Sequence, residues 1–329
     1  MSGKKVNINQ FFTLDLALEA EKIATRFREI VGRELRRRGA VVAMSGGIDS
    51  SVSAALAVKA LGADKVYGLL LPERDSSGAS ATQAKLLAEH LGIEYEVHDI
   101  APTLEAIGCY RWRDEAVRAT FPDYKPAWKY KIVIAGGLEG RYNHFKLVVQ
   151  TEAGELQEKT LALKEYLQIV AATNYKQRIR KTVEYFHADR LNYAVVGTPN
   201  RVEYDQGFFV KNGDGAADVK PIAHLYKTHV YDMARYFGLP ESIVNATPTT
   251  DTYSLAQGQD EFYYALPYHE MDVALWALNN GRRADELAVM LGISDMQAEH
   301  VYQDIIAKRR TTAYLHRPGV LVEPVQIPH

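Results

Sequence analysis

Residues 40–61 read AVVAM (40–44), SGGIDSS (45–51) and VSAALAVKAL (52–61). The first run is short, apolar and β-branched, as a buried strand is, and the last reads as a helix. Between them two glycines permit a sharp turn that aims successive backbone N–H groups at one point. The helix start adds partial positive charge, and Ser45, Ser50 and Ser51 add hydroxyl donors. This order predicts a phosphate nest built from Ser45, Gly46, Gly47, Ile48, Asp49, Ser50 and Ser51. Neither GxxxxGK[ST] nor GxGxxG is present in this stretch, which sets the nest apart from both common kinds. An acid inside a phosphate nest repels its ligand unless a cation intervenes, so Asp49 reads as a Mg²⁺ ligand beside a polyphosphate. The competing reading is an ordinary Ser/Gly turn capping a helix; the strand before, the helix after and the embedded acid favour the nest.

Working outward, residues 13–38 show a helical period with Thr13 as the expected N-cap. KVYGLLL (65–71) and IEYEVHDI (93–100) read as strands, with ATQAKLLAEHL (81–91) a helix between them. Strands spaced by helices predict an α/β fold, a doubly wound parallel sheet with right-handed crossovers. The pattern changes after residue 120. KIVIAGGLEGRYNHFKLVVQTEAGEL (131–156) has Gly-rich turns between apolar runs and predicts two or three short strands. Residues 121–164 are therefore an expected β insertion between two parts of one domain, 1–120 and 165–329. A helix over about 161–187 follows, then a strand in LNYAVVGTPN (191–200), a helix in HLYKTHVYDMARYFG (224–238) and a helical C-terminal part.

Composition narrows the possibilities. Of 329 residues, 47% are hydrophobic and 24% charged, which fits a folded globular chain rather than disorder. A formal charge of −2 leaves no global basic field for nucleic acid or anionic membrane, so any anion site must be local. The one cysteine, Cys109, excludes an intrachain disulfide framework and a Cys-rich zinc site, and suits a reducing, cytoplasmic setting. No apolar stretch approaches the roughly 20 residues needed to cross a bilayer.

SGGxDS(S/T) after a first strand resembles the pyrophosphate loop of the N-type ATP pyrophosphatases, whose Rossmann-like fold cleaves ATP between the α and β phosphates. A second constellation chooses among them. Gly197-Thr198-Pro199-Asn200-Arg201-Val202-Glu203, then Gly207 to Gly215 with Asp218, then Pro221 and Lys227-Thr228 are similar to the GTxNxxE, GxxTKxGDGxxD and KT segments of the NAD synthetases. Asn174 to Arg180 resembles that family's N-x-x-A-R-x-R helix. Pro248 to Asp251, Gln259-Asp260-Glu261, and Tyr268 with Asp272 are similar to its later segments. Together these cover roughly residues 20–100 and 170–317. Two features depart from the compact family pattern: the insertion from about Pro122 to Lys159, and Thr250 and Thr252 where the family has Ala and Leu.

The residue types support this chemistry independently. Glu203 lies just past a strand's carboxyl end, where open α/β sheets place ligands, and with Asp49 it offers oxygen ligands to Mg²⁺. Lys227 opens a helix, where a phosphate is a reasonable partner for its charge. The resemblance implies that Thr198, Lys227 and Thr249 contact ATP, that Arg74 meets its phosphates, and that Arg178, Lys211 and Asp218 contact deamido-NAD. The basic segment holding His316 and Arg317 is implied to close on substrate. Taken singly, these residues have plainer readings as surface charges, turn hydroxyls or helix caps, and their joint spacing outweighs those. Asp214 and Asp260 are candidates to accept a proton in an ammonia pocket.

The implied reaction is amidation of deamido-NAD by ammonia through an acyl adenylate, with ATP as co-substrate and Mg²⁺ as cofactor. Cys109 lacks the setting of a glutaminase nucleophile, so direct use of ammonia is expected, with a separate glutaminase subunit as the other source. A homodimer follows from the resemblance. The rivals are a same-fold ligase for another carboxylate, a tRNA-modifying pyrophosphatase and an ATP-binding regulatory protein with a degenerate site.

Overall fold

The computed structural model describes residues 12–135, 144–246, 253–255, 263 and 266–326. At its centre are four parallel strands, β1 (Ala40–Ala43), β2 (Val66–Leu70), β3 (Glu94–Val97) and β7 (Ala194–Val196), in the order β3-β2-β1-β7. Alternation along β1 explains why both faces are covered. Ala40 and Val42 point into one apolar cluster and Val41 into another, and all three are fully buried. The first cluster is closed by α1 (Leu16–Glu29), α2 (Ile48–Leu61), α3 (Gly78–Leu91) and α8 (Lys227–Tyr236). The second is closed by α4 (Ala101–Ala106), α5 (Cys109–Thr120) and α6 (Leu163–Leu191). The doubly wound sheet expected from the sequence is therefore present.

The strand order reverses between β1 and β7, because the chain runs outward through β2 and β3 before returning to the far side of β1. Such a switch point opens a crevice beyond the carboxyl ends of the two strands, and ligands of open α/β sheets bind there. The loops leaving β1 and β7 are SGG and GTPN. They are thus brought side by side from positions about 150 residues apart by topology alone.

Helix α1 differs from its expected start. Asp15 caps it, its carboxylate accepting from Leu18 N at 3.0 Å, in place of Thr13. A carboxylate is a stronger acceptor for an exposed helix N–H and also complements the helix dipole. After α1 comes one π-helical turn, Ile30–Glu34.

A separate antiparallel sheet is made of β4 (Lys129–Ala135), β5 (His144–Gln150) and β6 (Leu156–Thr160). The 29-residue helix α6 follows and spans roughly 44 Å at 1.5 Å per residue, enough to join this sheet to the parallel one. Beyond β7 lie α7 (Arg201–Gln206), α9 (Glu241–Val244), α10 (Tyr268–Asn279), α11 (Ala284–Leu291) and α12 (Asp295–Thr312). The last three share a core built on Leu275, Leu287, Val301 and Ile305. Gly207, which ends α7 at φ +69°, has Thr312 so close that an added Cβ would sit 2.3 Å from it, so the end of α12 is seated against α7.

Candidate active site

The loop after β1 is built as its composition requires. Gly46 has φ +80°, and a Cβ there would lie 2.4 Å from the Ser80 carbonyl oxygen, so both conformation and space demand glycine. Ser45 and Ser50 brace the turn: Ser45 Oγ accepts from Gly47 N at 3.2 Å, and Ser50 Oγ donates to Gly47 O at 3.0 Å. Ser51 is buried and donates to Gly47 O at 2.8 Å. Its hydroxyl therefore holds the start of α2 and does not line the crevice.

Asp49, in the first turn of α2, faces Lys227, the first residue of α8. The Lys227 Nζ and Asp49 Oδ2 are hydrogen-bonded as an ion pair, with the lysine buried. Burial alone would lower the lysine pKa, yet the carboxylates of Asp49 and Glu203 more than offset it and hold Lys227 above the ordinary value. The ammonium is thus a fixed positive charge at the switch point. Asn200 ties the two acids together. Its Nδ2 donates to Asp49 Oδ1 at 3.1 Å, and its Oδ1 accepts from Val202 N and Glu203 N at 3.0 and 3.2 Å. The Glu203 carboxylate returns the bond, accepting from Asn200 N at 3.1 Å, which completes a capping box on α7.

Behind Lys227 stands Asp272, fully buried on α10. Its carboxylate accepts from Lys227 N at 3.1 Å and from both Thr228 N and Thr228 Oγ1 at 2.7 Å. Burial pushes its pKa up to about 6 against those bonds. It fixes the first turn of α8 and hence the direction in which Lys227 points.

Ser45, Gly46, Gly47, Ile48, Asp49, Ser50, Thr198, Glu203 and Lys227 line one cavity of about 750 Å³, together with Arg178, Lys211 and Asp214. That volume suits a nucleotide-sized ligand. Arg178 and Lys211 are also used within the chain. Lys211 Nζ donates to the carbonyls of Tyr314 and Arg317 at 2.7 and 2.8 Å, and Arg178 Nε donates to Lys211 O at 3.2 Å. Asp214 accepts from Val210 N at 2.7 Å, and burial raises its pKa above the usual carboxylate value.

Four other expected residues do not line the cavity. Arg74 places its guanidinium carbon over the Tyr110 ring, 3.8 Å from the centroid, and faces Glu105. Asp218 accepts from Val195 N at 2.8 Å and Tyr185 OH at 3.2 Å on an exposed flank. His316 packs edge-on against Tyr204 and Phe209, at 4.8 and 5.1 Å between ring centres. Arg317 contributes its carbonyl to Lys211. Thr249 and Asp260 lie outside the described residues.

Sequence reasoning missed the ionic joint beneath the site. Lys176 of α6 is 2.9 Å from Glu73 and 2.8 Å from Asp75 in the loop after β2, while Arg113 of α5 is 2.8 Å from Asp75 and 2.7 Å from Asp114. All five side chains are at most 9% exposed. Burial would raise the Asp75 pKa, but Lys176 and Arg113 together hold it below the ordinary value. Cys109 is buried on α5: its thiol donates to Ala172 O at 3.2 Å, and burial pushes its pKa up to about 11.

Carboxylates of Asp49 and Glu203 beside a phosphate-sized nest are the hard oxygen donors that Mg²⁺ takes, an ion that usually completes its shell with substrate phosphates and water. Among the described residues no group of three or more His, Cys, Asp and Glu is placed to hold a metal by itself. The donor set therefore fits an ion shared with a polyphosphate.

Fold and site define a doubly wound α/β protein of the ATP pyrophosphatase type, with a glycine–serine nest and a buried lysine at its switch point. The family model described as NAD synthase matches residues 20–121 and 138–313. The NH(3)-dependent NAD(+) synthetase of Rhizobium meliloti (strain 1021) is 55% identical over 314 residues, 95% of this chain and 94% of its own. That of Methanocaldococcus jannaschii is 33% identical over 288 residues, 87% and 90% of the two chains. Among solved structures, NMN synthetase from Francisella tularensis superposes with a TM-score of 0.63 at 21% identity, covering 94% of this chain and 99% of that one. NAD+ synthetase from Burkholderia pseudomallei gives 0.55 at 25% identity, covering 92% and 91%. The chain belongs to the NAD synthase family.

Proposed function

We propose that the chain is an ammonia-dependent NAD synthetase, joining ammonia to the carboxylate of deamido-NAD at the expense of ATP, with AMP and pyrophosphate released. The observation that carries this reading is the meeting of Asp49, Glu203 and Lys227 around one nest in a cavity of nucleotide size, in a chain so similar to ammonia-dependent relatives.

A carboxylate is a poor electrophile, so its oxygen first attacks the α-phosphorus of ATP and pyrophosphate leaves. Charge gathers on the leaving group in that step. The nest N–H groups and the Lys227 ammonium stand ready to receive it, which is electrostatic stabilisation by groups already in place. Asp49 and Glu203 would hold Mg²⁺, whose charge would screen the phosphates. Ammonia then attacks the acyl carbon and AMP departs. Asp214, whose proton affinity burial raises, is the proposed proton acceptor, and Asp260 is its alternative. Thr198 and Thr249 are assigned to ATP, and Arg178 and Lys211 to deamido-NAD; Asp218, His316 and Arg317 for deamido-NAD and Arg74 for the phosphates, all outside this cavity, are assigned on the family resemblance alone. The exposed position of Asp218 suits a substrate shared across a homodimer.

No helix among the described residues is long and apolar enough to cross a membrane, which accords with the proposed cytoplasmic setting. The buried Cys109 thiol, poorly ionised at neutral pH, is unsuited to attack glutamine. Ammonia is therefore taken directly or from a separate glutaminase subunit.

The test is incubation with ATP, Mg²⁺, deamido-NAD and ammonium, with NAD and AMP quantified and Asp49→Asn as control. Equal NAD and AMP, lost in the variant, is the expected result. The fold also serves an NMN synthetase, so nicotinate mononucleotide is run alongside. Amidation of that compound alone would transfer the assignment to a same-fold ligase for a shorter acceptor.

A further inference from the structure

The inner face of the antiparallel sheet can be followed residue by residue. Along β4 it carries Tyr130, Ile132 and Ile134, and along β5 Phe145, Leu147 and Val149, since side chains alternate across a strand. Tyr130, Ile132, Leu147 and Val149 are fully buried in a core shared with Ile169 of α6 and with Tyr253. The next cross-strand pair, Ile134 opposite Phe145, runs past that core, is only partly covered by protein and lines the active-site cavity. Phe145 lies flat on Tyr166 of α6, at 4.0 Å between ring centres and 13° between planes. Tyr166, Val170 and Tyr253 line the same cavity. Ile134, Phe145, Tyr166, Val170 and Tyr253 thus give a mainly apolar part of the lining of the cavity that also holds the nest and Lys227.

Its position is fixed at several points. Leu161 N donates to Phe145 O at 2.9 Å, Tyr130 N donates to Ser254 Oγ at 3.0 Å, and Leu255 N donates to Tyr130 O at 3.0 Å. The Tyr130 and Tyr253 rings meet edge to face at 5.4 Å. The sheet is thus tied to α6 through the Phe145–Tyr166 ring pair and to residues 253–255 through Tyr130.

Resting on the proposed reaction, we infer that this inserted sheet is a desolvating wall: Ile134, Phe145 and Tyr166 keep water from the acyl carbon of the adenylate, so that ammonia is its nucleophile. An acyl adenylate accepts either nucleophile. Attack by ammonia breaks the acyl carbon–oxygen bond, releases AMP and gives the amide once a proton is lost. Attack by water breaks the same bond, releases AMP and returns the starting carboxylate with one water oxygen in it. In that second course ATP is consumed with no product gained. Water is far more concentrated than ammonia, and a site that makes the intermediate without excluding water would run this futile cycle.

The experiment uses the full-length chain with ATP, Mg²⁺, deamido-NAD and limiting ammonium in heavy-oxygen water. AMP and NAD are counted, and the recovered deamido-NAD is weighed for label. The parent should release one AMP per NAD with unlabelled carboxylate. Phe145→Ala and Tyr166→Ala should release about two AMP or more per NAD, with heavy oxygen in the recovered carboxylate, and Phe145→Leu should bring the ratio back toward one. Ile134→Thr changes shape least and places a hydroxyl on the same wall, so it serves if an alanine variant fails to fold. A ratio of one in folded variants overturns the inference, and so does excess AMP without carboxylate label, which would mean direct attack on ATP. Failure of the parent to make NAD is a different outcome: it removes the proposed function, and the wall's role with it.

Discussion

The two ends of the cavity are made by opposite means. At the switch point, charged and polar groups from four distant segments meet: the nest, Asn200 with Glu203, Lys227 and Asp272. There each side chain has a partner chosen for charge. At the antiparallel sheet, strand alternation carries an apolar face out of a core and into the lining of the cavity. Polar machinery needs individual residues in individual places, whereas an apolar wall needs only a face of the right shape and is more tolerant of exchange among its members. Mutations should therefore act by kind at one end and by volume at the other.

The sharpest break in that contrast lies at the joint between the ends, where Lys176 ties α6 to Glu73 and Asp75. Lys176→Met keeps most of the volume and removes the charge, leaving two buried carboxylates short of a partner. A loss of about 3–5 kcal/mol of folding stability is expected, read by denaturant unfolding. A change below about 1 kcal/mol would mean that water reaches the joint. At the switch point itself, Lys227→Met should lower kcat for NAD formation by about 10²–10³-fold, as loss of one pre-placed transition-state donor does elsewhere. Were KM to rise with kcat unchanged, the lysine would bind ATP without favouring its transition state.

Asp272 gives a test in pH. Its folded pKa is raised to about 6 by burial, while its ordinary value is 3.8. Between those values the folded protein binds the extra proton and the unfolded chain does not, so this group's contribution to stability grows as pH falls from about 6 and is lost as pH rises through it. The span amounts to something on the order of 3 kcal/mol. In unfolding titrations, the parent minus Asp272→Asn difference should therefore slope downward between about pH 4 and pH 6. A flat difference would show the carboxylate to be solvated. Protonation should also loosen its hold on Lys227 N and Thr228, lowering kcat on the acid side in the parent and less so in the variant.

How much of this was legible in the sequence divides along the same line. The nest could be read because Gly46 is required twice, by its positive φ and by the Ser80 carbonyl behind it, and such needs leave glycines in the sequence. Lys227 and Glu203 were readable from the segments they share with a known family. Asn200 stood inside one of those segments, yet its grip on Asp49 appears only when β1 and β7 lie side by side. The joint of Glu73, Asp75, Arg113 and Lys176 left no local signal, because each is a charged residue on a loop or helix that in isolation would face water. Thr13 and Asp15 are both good caps, and the carboxylate, the stronger acceptor, takes the position. The strands of the insertion were expected from their turns, but not that Ile134 and Phe145 overhang the cavity. Alternation says which residues share a face; what that face meets depends on where the fold sets the sheet relative to the cavity.

The smallest expected effect comes from the other face of that sheet. Lys146 neighbours Phe145 in sequence and so points the opposite way. Its Nζ lies 2.6 Å from Glu158 Oε1 on β6, and both side chains are substantially solvated, at 31% and 58% exposure. Register places Lys146 opposite Thr160 and Val148 opposite Glu158, so the pair is diagonal rather than direct. Solvent screens such a pair, and holding two long side chains together costs entropy, so Lys146→Ala should change stability by no more than about 0.5 kcal/mol. It should also leave the ratio of AMP to NAD where it was. Adjacent residues on one strand would then differ completely in consequence, Phe145 acting on the reaction and Lys146 on almost nothing. If Lys146→Ala instead raised AMP release as Phe145→Ala is expected to, general loosening of the sheet would account for both, and the wall would owe its effect to rigidity rather than to its apolar face.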